Sequence, residues 1–253
     1  MKKLSVKERQ SQILESISKN GLVKTSQLAE QFNVSSETIR RDLNALTETG
    51  EITRWLGNAM VPKNDFSVFP VSSRLEDYKD EKIQICEKTL SMIDDSSVLF
   101  LDTGSTILHF AHLIKDKEFT IITNSLPVVN TLLDTNNKII FTGGYIDAKV
   151  SCSYGPETTA FLQTIRVDYA ILGTSGFERH NGPTTNNFED QDVKQHAIQC
   201  ASHTFVLSDS HKATYSSMIK YANWQDIDFL ITSTNLNPDV FDSLSKMTKV
   251  LKV

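Results

Sequence analysis

Two stretches of the chain gather side chains whose types and spacing could do chemistry. The first runs Ser35-Ser36-Glu37-Thr38-Ile39-Arg40-Arg41-Asp42-Leu43-Asn44. At a helical period, Ile39, Leu43 and Leu46 share one narrow face, which must be core. Glu37, Thr38, Arg40, Arg41 and Asn44 fall on the opposite face. Arginine pairs with guanine edges or phosphates, and asparagine can read adenine. With Ser35 and Ser36 at its start, this is the makeup of a DNA recognition helix. A small helical bundle whose charged face is merely solvated shows the same spacing.

The second stretch is Asp102-Thr103-Gly104-Ser105-Thr106, placed where an apolar run gives way to a helical pattern. Backbone N–H groups at a helix start, three hydroxyl side chains and a glycine make an anion cradle. Asp102 can accept from sugar hydroxyls and would repel phosphate, so it belongs beside the cradle. A capped strand-to-helix turn accounts for the same residues. Further polar loops follow other apolar runs: Thr123-Asn124-Ser125, Thr142-Gly143-Gly144, Gly173 to Gly176, and Ser208 to Lys212. In open α/β sheets, ligands bind at the carboxyl ends of strands. Lys194 and Lys212 could supply positive charge there.

The elements that must position these residues follow from periodicity. Ser5 and Glu8 form a capping box ahead of Ile13, Leu14 and Ile17, and Gly21 should end that helix. A second helix is expected from Thr25 to Phe32, and a turn at Asn33-Val34. Ser35 caps the third helix, which Gly50 stops. A hairpin over Glu51 to Ala59, turning at Gly57-Asn58, would be a wing carrying Arg54. Val61 to Asp65 and Phe69-Pro70 read as a linker. A helix over residues 74–93 follows, with Ile83, Cys86, Leu90 and Ile93 at helical spacing. From residue 96 on, strands at 98–101, 119–122, 138–141, 169–172, 205–207, 229–231 and 250–253 alternate with helical patterns. The expected fold is an α/β domain with a largely parallel sheet, preceded by a small winged helix-turn-helix domain. The divisions are 1–60, a linker over 61–75, and 76–253.

The stretch LAEQFNVSSETIRRDLNALTETGEITRWLGNA resembles the signature of DeoR-family bacterial transcriptional regulators. The wing departs from the family's His-Gly-Gly-Ala, having Leu56-Gly57-Asn58-Ala59. The resemblance continues through D-T-G-S-T, T-N-S, the Gly143-Gly144 pair, D-Y-A-I-L-G, Val193-Lys194 and the D-S-x-K of Asp209 to Lys212. Arg74 and Lys82 also fit the family pattern. This resemblance implies a sensor domain similar in fold to ribose-5-phosphate isomerase, binding phosphorylated sugars or related intermediates. It assigns Asp102, Thr103, Gly104, Ser105 and Thr106 to the effector, with Lys194 and Lys212 at the same crevice. Thr123, Asn124, Ser125, Gly143 and Gly144 join them. It implies Ser35, Ser36, Glu37, Thr38, Arg40, Arg41, Asn44 and Arg54 on DNA. Catalysis is not expected: 173–185 reads GTSGFERHNGPTT, without the isomerases' lysine-glycine-rich loop, and Glu178 is its one carboxylate.

Charge agrees with this division. The 253 residues carry a net −5, but residues 1–60 hold nine Lys and Arg against seven Asp and Glu. The acidic excess is all in the remainder. Three cysteines at 86, 152 and 200 exclude a disulfide framework and a zinc ribbon. His109 and His112, i and i+3, lack a third ligand, so no metal and no cofactor is expected. The acidic Glu189-Asp190-x-Asp192 reads as structural, favouring a helix dipole. The N-terminus is not read as a signal peptide, and no apolar run is long enough to span a bilayer. The expectation is a cytoplasmic regulator, a homodimer or homotetramer, whose partners are operator DNA and a phosphorylated sugar.

Overall fold

The computed structural model describes residues 5–20, 22–48, 53–55, 58–60 and 71–253. The chain divides into two compact units, residues 1–67 and 68–253.

In the first unit, α1 (Val6–Asn20), β1 (Leu22–Lys24), α2 (Thr25–Gln31) and α3 (Ser36–Glu48) precede β2 (Thr53–Trp55) and β3 (Asn58–Met60). The capping box forms: Ser5 N donates to Glu8 Oε2 at 2.9 Å, and Glu8 N to Ser5 Oγ at 3.3 Å. Asn33 takes a positive φ of 50° in the tight turn, and Ser35 Oγ accepts from Thr38 N at 3.1 Å to cap α3. Ile13, Ile17, Leu28, Ile39 and Leu43 close the core without exposure. Strand β3 pairs antiparallel with both β1 and β2. Three residues are too few for an alternating pattern, which is why β1 escaped the sequence reading. Asn58 stands in β3 opposite Trp55 rather than in the turn expected at Gly57-Asn58. Gly21, Gly50, Gly57 and the linker segments at 61–65 and 69–70 lie outside the described residues.

The second unit opens with the single turn Val71–Arg74 and α4 (Lys79–Leu90). The buried face of α4 is Lys82, Ile85, Cys86 and Thr89, so Ile83, placed in the apolar stripe by spacing, is instead exposed. There follow β4 (Val98–Leu101), α5 (Ser105–Leu113), β5 (Thr120–Thr123), α6 (Leu126–Leu132) and β6 (Lys138–Phe141). After β7 (Tyr145–Asp147), β8 (Cys152–Tyr154) and α7 (Pro156–Gln163) come β9 (Val167–Gly173), β10 (Thr184–Thr185) and α8 (Phe188–Cys200). The chain finishes with β11 (Ala201–Ser208), β12 (Ile219–Lys220), β13 (Phe229–Thr232), α9 (Pro238–Leu244) and β14 (Lys249–Lys252).

Seven strands form one sheet in the order β14-β13-β11-β9-β4-β5-β6, parallel throughout. Alternate residues enter opposite cores, as the pleat requires. Leu99, Leu101, Ile171 and Leu207 pack with Ile85, Phe110 and Val128 from α4, α5 and α6. Phe100, Ala170, Leu172 and Val206 pack with Leu162, Val193 and Leu244 from α7, α8 and α9. Both faces are covered, hence the unbroken apolar strands. From β4 the order runs outward one way through β5 and β6, and from β9 the other way through β11, β13 and β14. The reversal lies between β4 and β9, and in open α/β sheets the carboxyl ends of strands at such a point are where ligands bind.

Candidate functional site

Helix α3 carries the first site. Ser35, Ser36, Glu37, Arg40, Arg41 and Asn44 are exposed and Thr38 is half-buried. The Arg41 side chain is 81% exposed, and Glu37 lies 3.8 Å from it and 3.7 Å from Arg40. Such surface pairs hold weakly and can yield to phosphates or bases. Arg54 lies on β2, paired with Ala59; its side chain is outside the described residues. Asp42 points the other way and is buried. Its carboxylate takes both Arg9 Nε at 2.6 Å and an Arg9 terminal nitrogen at 3.1 Å, fastening α1 to α3. The hydrogen bond to Asp42 raises the Arg9 pKa above its ordinary value. Sequence reasoning missed this fastening, although Asp42 is three residues from the core residue Ile39.

The second site lies at the reversal point. Asp102 follows β4 and is fully buried. Its Oδ2 accepts from Gly173 N, at the end of β9, at 2.8 Å, and from Lys194 Nζ of α8. Lys194 is 3.4 Å from Asp190 Oδ2 as well, and its ammonium lies 5.3 Å from the centre of the Tyr221 ring. Thr185 Oγ1 donates to Asp190 at 2.7 Å, and the Tyr221 hydroxyl to Gly173 O at 2.8 Å. Burial pushes the Asp102 carboxyl up, Asp190 adding to the push against Lys194. Burial alone would lower Lys194, but the two carboxylates overcome it and hold the ammonium charged. The charge expected to serve an anion is therefore already matched by carboxylates. Asp190, read from sequence as a dipole-favouring residue, is a member of this site; its i, i+4 spacing to Lys194 was the available signal.

Four buried oxygens here have no hydrogen-bond partner: Asp102 Oδ1, Asp190 Oδ1, Thr103 Oγ1 and Asn124 Oδ1. Gly104, at φ 140°, precedes α5, whose start has no side-chain cap, and a Cβ added to it would meet nothing within 4 Å. The space beside Gly104 at the start of α5 is therefore open. Ser105 and Thr106 are buried in the first turn of α5.

The other predicted loops partly serve the scaffold. Thr123 Oγ1 donates to Leu101 O at 2.6 Å, joining β5 to β4. Asn124 Nδ2 donates to Ser153 O at 3.0 Å, and Ser125 is buried beside β8. Gly143 and Gly144 both have positive φ; Gly143 O accepts from Thr158 Oγ1 at 2.6 Å, and a Cβ on Gly144 would sit 2.3 Å from Tyr154 O. The Cys152 thiol lies near Thr103 and Ser125, and burial pushes it up to about 12.

Lys212 stands in the loop after β11, its Nζ bonded to the Tyr215 hydroxyl. The segment from Gly173 to Phe177 links it to Asp102: Gly173 N holds Asp102, and Phe177 N donates to Lys212 O at 3.0 Å. His109 uses its ring on Leu75 O at 2.9 Å. Among the described residues, no three His, Cys, Asp or Glu side chains gather as a metal site would require. No described helix is long and apolar enough to cross a membrane.

Comparison with known proteins places both units. Residues 9–65 match the DeoR-like helix-turn-helix domain, and residues 77–234 the DeoR C terminal sensor domain. The chain is 29% identical to the L-fucose operon activator of Haemophilus influenzae, covering 97% of this chain and 98% of that protein. It is 31% identical to the glycerol-3-phosphate regulon repressor of Escherichia coli, covering 89% and 90%. Among solved structures, ribose 5-phosphate isomerase A from Methanocaldococcus jannaschii aligns over about half of each chain, 53% and 54%, with a TM-score of 0.40 at 16% identity.

Proposed function

The chain belongs to the DeoR family and is a DNA-binding transcriptional regulator, and on that premise we propose that it represses a sugar-metabolism operon under the control of a phosphorylated sugar bound between the ends of β4 and β9. The observation that carries this reading is the set of orphaned buried oxygens on Asp102, Thr103, Asn124 and Asp190, together with the open space beside Gly104. Buried polar atoms are normally satisfied. Asp102 Oδ1 and Asp190 Oδ1 call for donors, which sugar hydroxyls supply, and the uncapped start of α5 calls for an acceptor, which a phosphate supplies. In this reading Asp102 to Thr106, with Asn124 and Asp190, contact the effector. Thr123, Ser125, Gly143 and Gly144 shape the crevice, and Lys194 orients the carboxylates.

The division of labour proposed is a DNA head over 1–60, a linker over 61–75 and a sensor over 76–253 that also joins subunits. One small head buries too little for strong specificity, so a homodimer or homotetramer reading paired half-sites in the cytoplasm fits best. The effector acts as far as its affinity differs between DNA-competent and DNA-incompetent states. Relatives include both an activator and a repressor, so the direction of control is a point of test.

The sensor is proposed to bind without turnover. Its two buried carboxylates share one ammonium, leaving neither as a free general base. A thermal-shift screen of the full chain against phosphorylated sugars, followed by gel shifts on the upstream promoter with each hit, tests the whole reading. A hit that releases the operator supports it. No stabilisation by any sugar phosphate, or isomerisation above the uncatalysed rate, overturns it.

A further inference from the structure

The seven-stranded sheet has two edges, and they are built differently. At one edge, β14 reads Lys249-Val250-Leu251-Lys252, with an exposed lysine at each end. Lys249 Nζ lies 5.2 Å from the centre of the Phe229 ring, and Lys252 Nζ 4.2 Å from that of Phe241. Lysines held along an edge blunt it against pairing with another chain. At the other edge, β6 reads Lys138-Ile139-Ile140-Phe141, with a single lysine at its start. Among the described residues, β6 pairs with β5 alone.

The ladder fixes which groups of β6 point outward. Lys138 N donates to Phe119 O at 2.9 Å, and Thr142 N to Thr123 O at 3.1 Å. With a period of two, the backbone of Ile140 also faces β5, and the N–H and C=O groups of Ile139 and Phe141 face away from the sheet. The side chains of this strand are apolar and only partly buried. Ile139 packs on the core beneath α4, α5 and α6, and Ile140 on the core of the opposite face. More apolar surface stands uncovered on either side in the chain. Leu133 closes α6, which packs against β6, and is 61% exposed; Tyr145 and Ile146 of β7 are each 52% exposed.

We propose that β6 is a subunit interface, pairing antiparallel with β6 of a second copy about a two-fold axis through Ile140 and joining two sheets edge to edge. This gives an interface to the homo-oligomer proposed above and rests on that reading. The register follows from the outward groups. Ile139 opposite the partner's Phe141, and Phe141 opposite the partner's Ile139, form two hydrogen-bonded pairs that use every outward group of both strands. Ile140 then meets the partner's Ile140 in the non-hydrogen-bonded pair between them. Lys138 meets the partner's Thr142, so no like charges oppose. The edge is thus complementary to itself in hydrogen bonding, apolar character and charge, as a two-fold contact requires. Four-residue strands alone fall short of the roughly 1,200–2,000 Å² that stable interfaces bury, and Leu133, Tyr145 and Ile146 supply apolar surface beside them.

The test uses the full-length protein. Light scattering on a sizing column gives the mass of wild type, and Ile140→Cys and Ile139→Cys are treated with copper phenanthroline and run on non-reducing gels. The native cysteines are all buried, so wild type serves as the blank. Ile140→Cys is expected to give a covalent dimer that reductant reverses. Ile139→Cys should give none, because the two introduced thiols sit on diagonal positions across the axis, beyond disulfide reach. Should the cysteine variants fail to fold, hydrogen exchange of wild type decides. On β14, Val253 N donates to Thr232 O at 2.9 Å, so its outward amides are those of Val250 and Lys252. The amides of Ile139 and Phe141 are expected to exchange more slowly than these. A wild-type dimer in which position 140 does not bridge, or in which the β6 amides exchange as fast as those of β14, overturns this interface and leaves subunit pairing intact. Wild type that stays monomeric at every concentration overturns the interface and the homo-oligomer alike.

Discussion

Asp102 and Lys194, 92 residues apart in sequence, meet as a buried ion pair at the point where the sheet reverses its strand order. The same carboxylate oxygen takes the amide of Gly173, so one atom joins the end of β4, the end of β9 and helix α8. Asp190 completes the group, so two carboxyl groups face one ammonium. Their remaining oxygens suit hydroxyl donors and oppose a bare anion.

Removing the lysine alone should be costly. Lys194→Met leaves two carboxylates buried without their cation, and breaking a buried pair typically costs about 3–5 kcal/mol. Urea unfolding of the sensor transition measures it. A loss below about 1 kcal/mol would mean the carboxylates are protonated or solvated instead.

Arg41→Ala should weaken operator binding and relax sequence preference while leaving the head folded, since Arg41 is largely exposed. Asp42→Ala should also abolish binding, but through the fold. It strands the buried Arg9 guanidinium, so the head's melting transition should drop. Gel shifts read beside circular dichroism separate the two effects. Arg41→Ala with unchanged affinity and preference would remove that residue from the groove face.

Gly104→Ala tests the turn before α5. Space exists for a methyl group, but φ of 140° is a conformation that L residues rarely adopt. The strain is of order 1–3 kcal/mol. The expected result is a modest loss of stability with a large loss of effector response, read by thermal shift with and without the best sugar phosphate. A full response from this variant would place the effector elsewhere.

Alkaline pH should favour the folded sensor over a defined window. The folded state holds Lys82 and Lys212 at about 8, below the ordinary lysine value. Between that value and the unfolded one, the unfolded chain binds more protons, so these two groups make stability rise with pH. Below about 8 their penalty is present in full. The difference in urea midpoint between wild type and Lys82→Met, followed from neutral to alkaline pH, should shift in favour of wild type. A constant difference contradicts the depressed lysine.

Much of the fold was legible because its signals are local. Ile39, Leu43 and Leu46 announce the buried side of α3 by spacing alone, and Val98 to Leu101 announces a strand covered on both faces. Ser5, Glu8 and Ser35 cap helices through neighbours three residues away. The short ribbons β1, β10 and β12 were not legible, because two or three residues carry no period and form only against a distant partner. Ile83 and Ile85 show the same limit: both are apolar on one helix, and the sheet beneath decides which is buried.

By itself, the sequence determined that the chain is a reader followed by a sensor, and which loops gather at the sheet's edge, since motifs and periodicity are properties of neighbouring residues. Tertiary structure alone decided what the charges there do. It matched Lys194 with Asp102 and Asp190, and it left Lys82, Lys212 and the Arg74 Nε without an ion-pair partner among the described residues. The physical reason is that Coulomb attraction and desolvation depend on distance and burial, and folding brings together groups that sequence holds far apart.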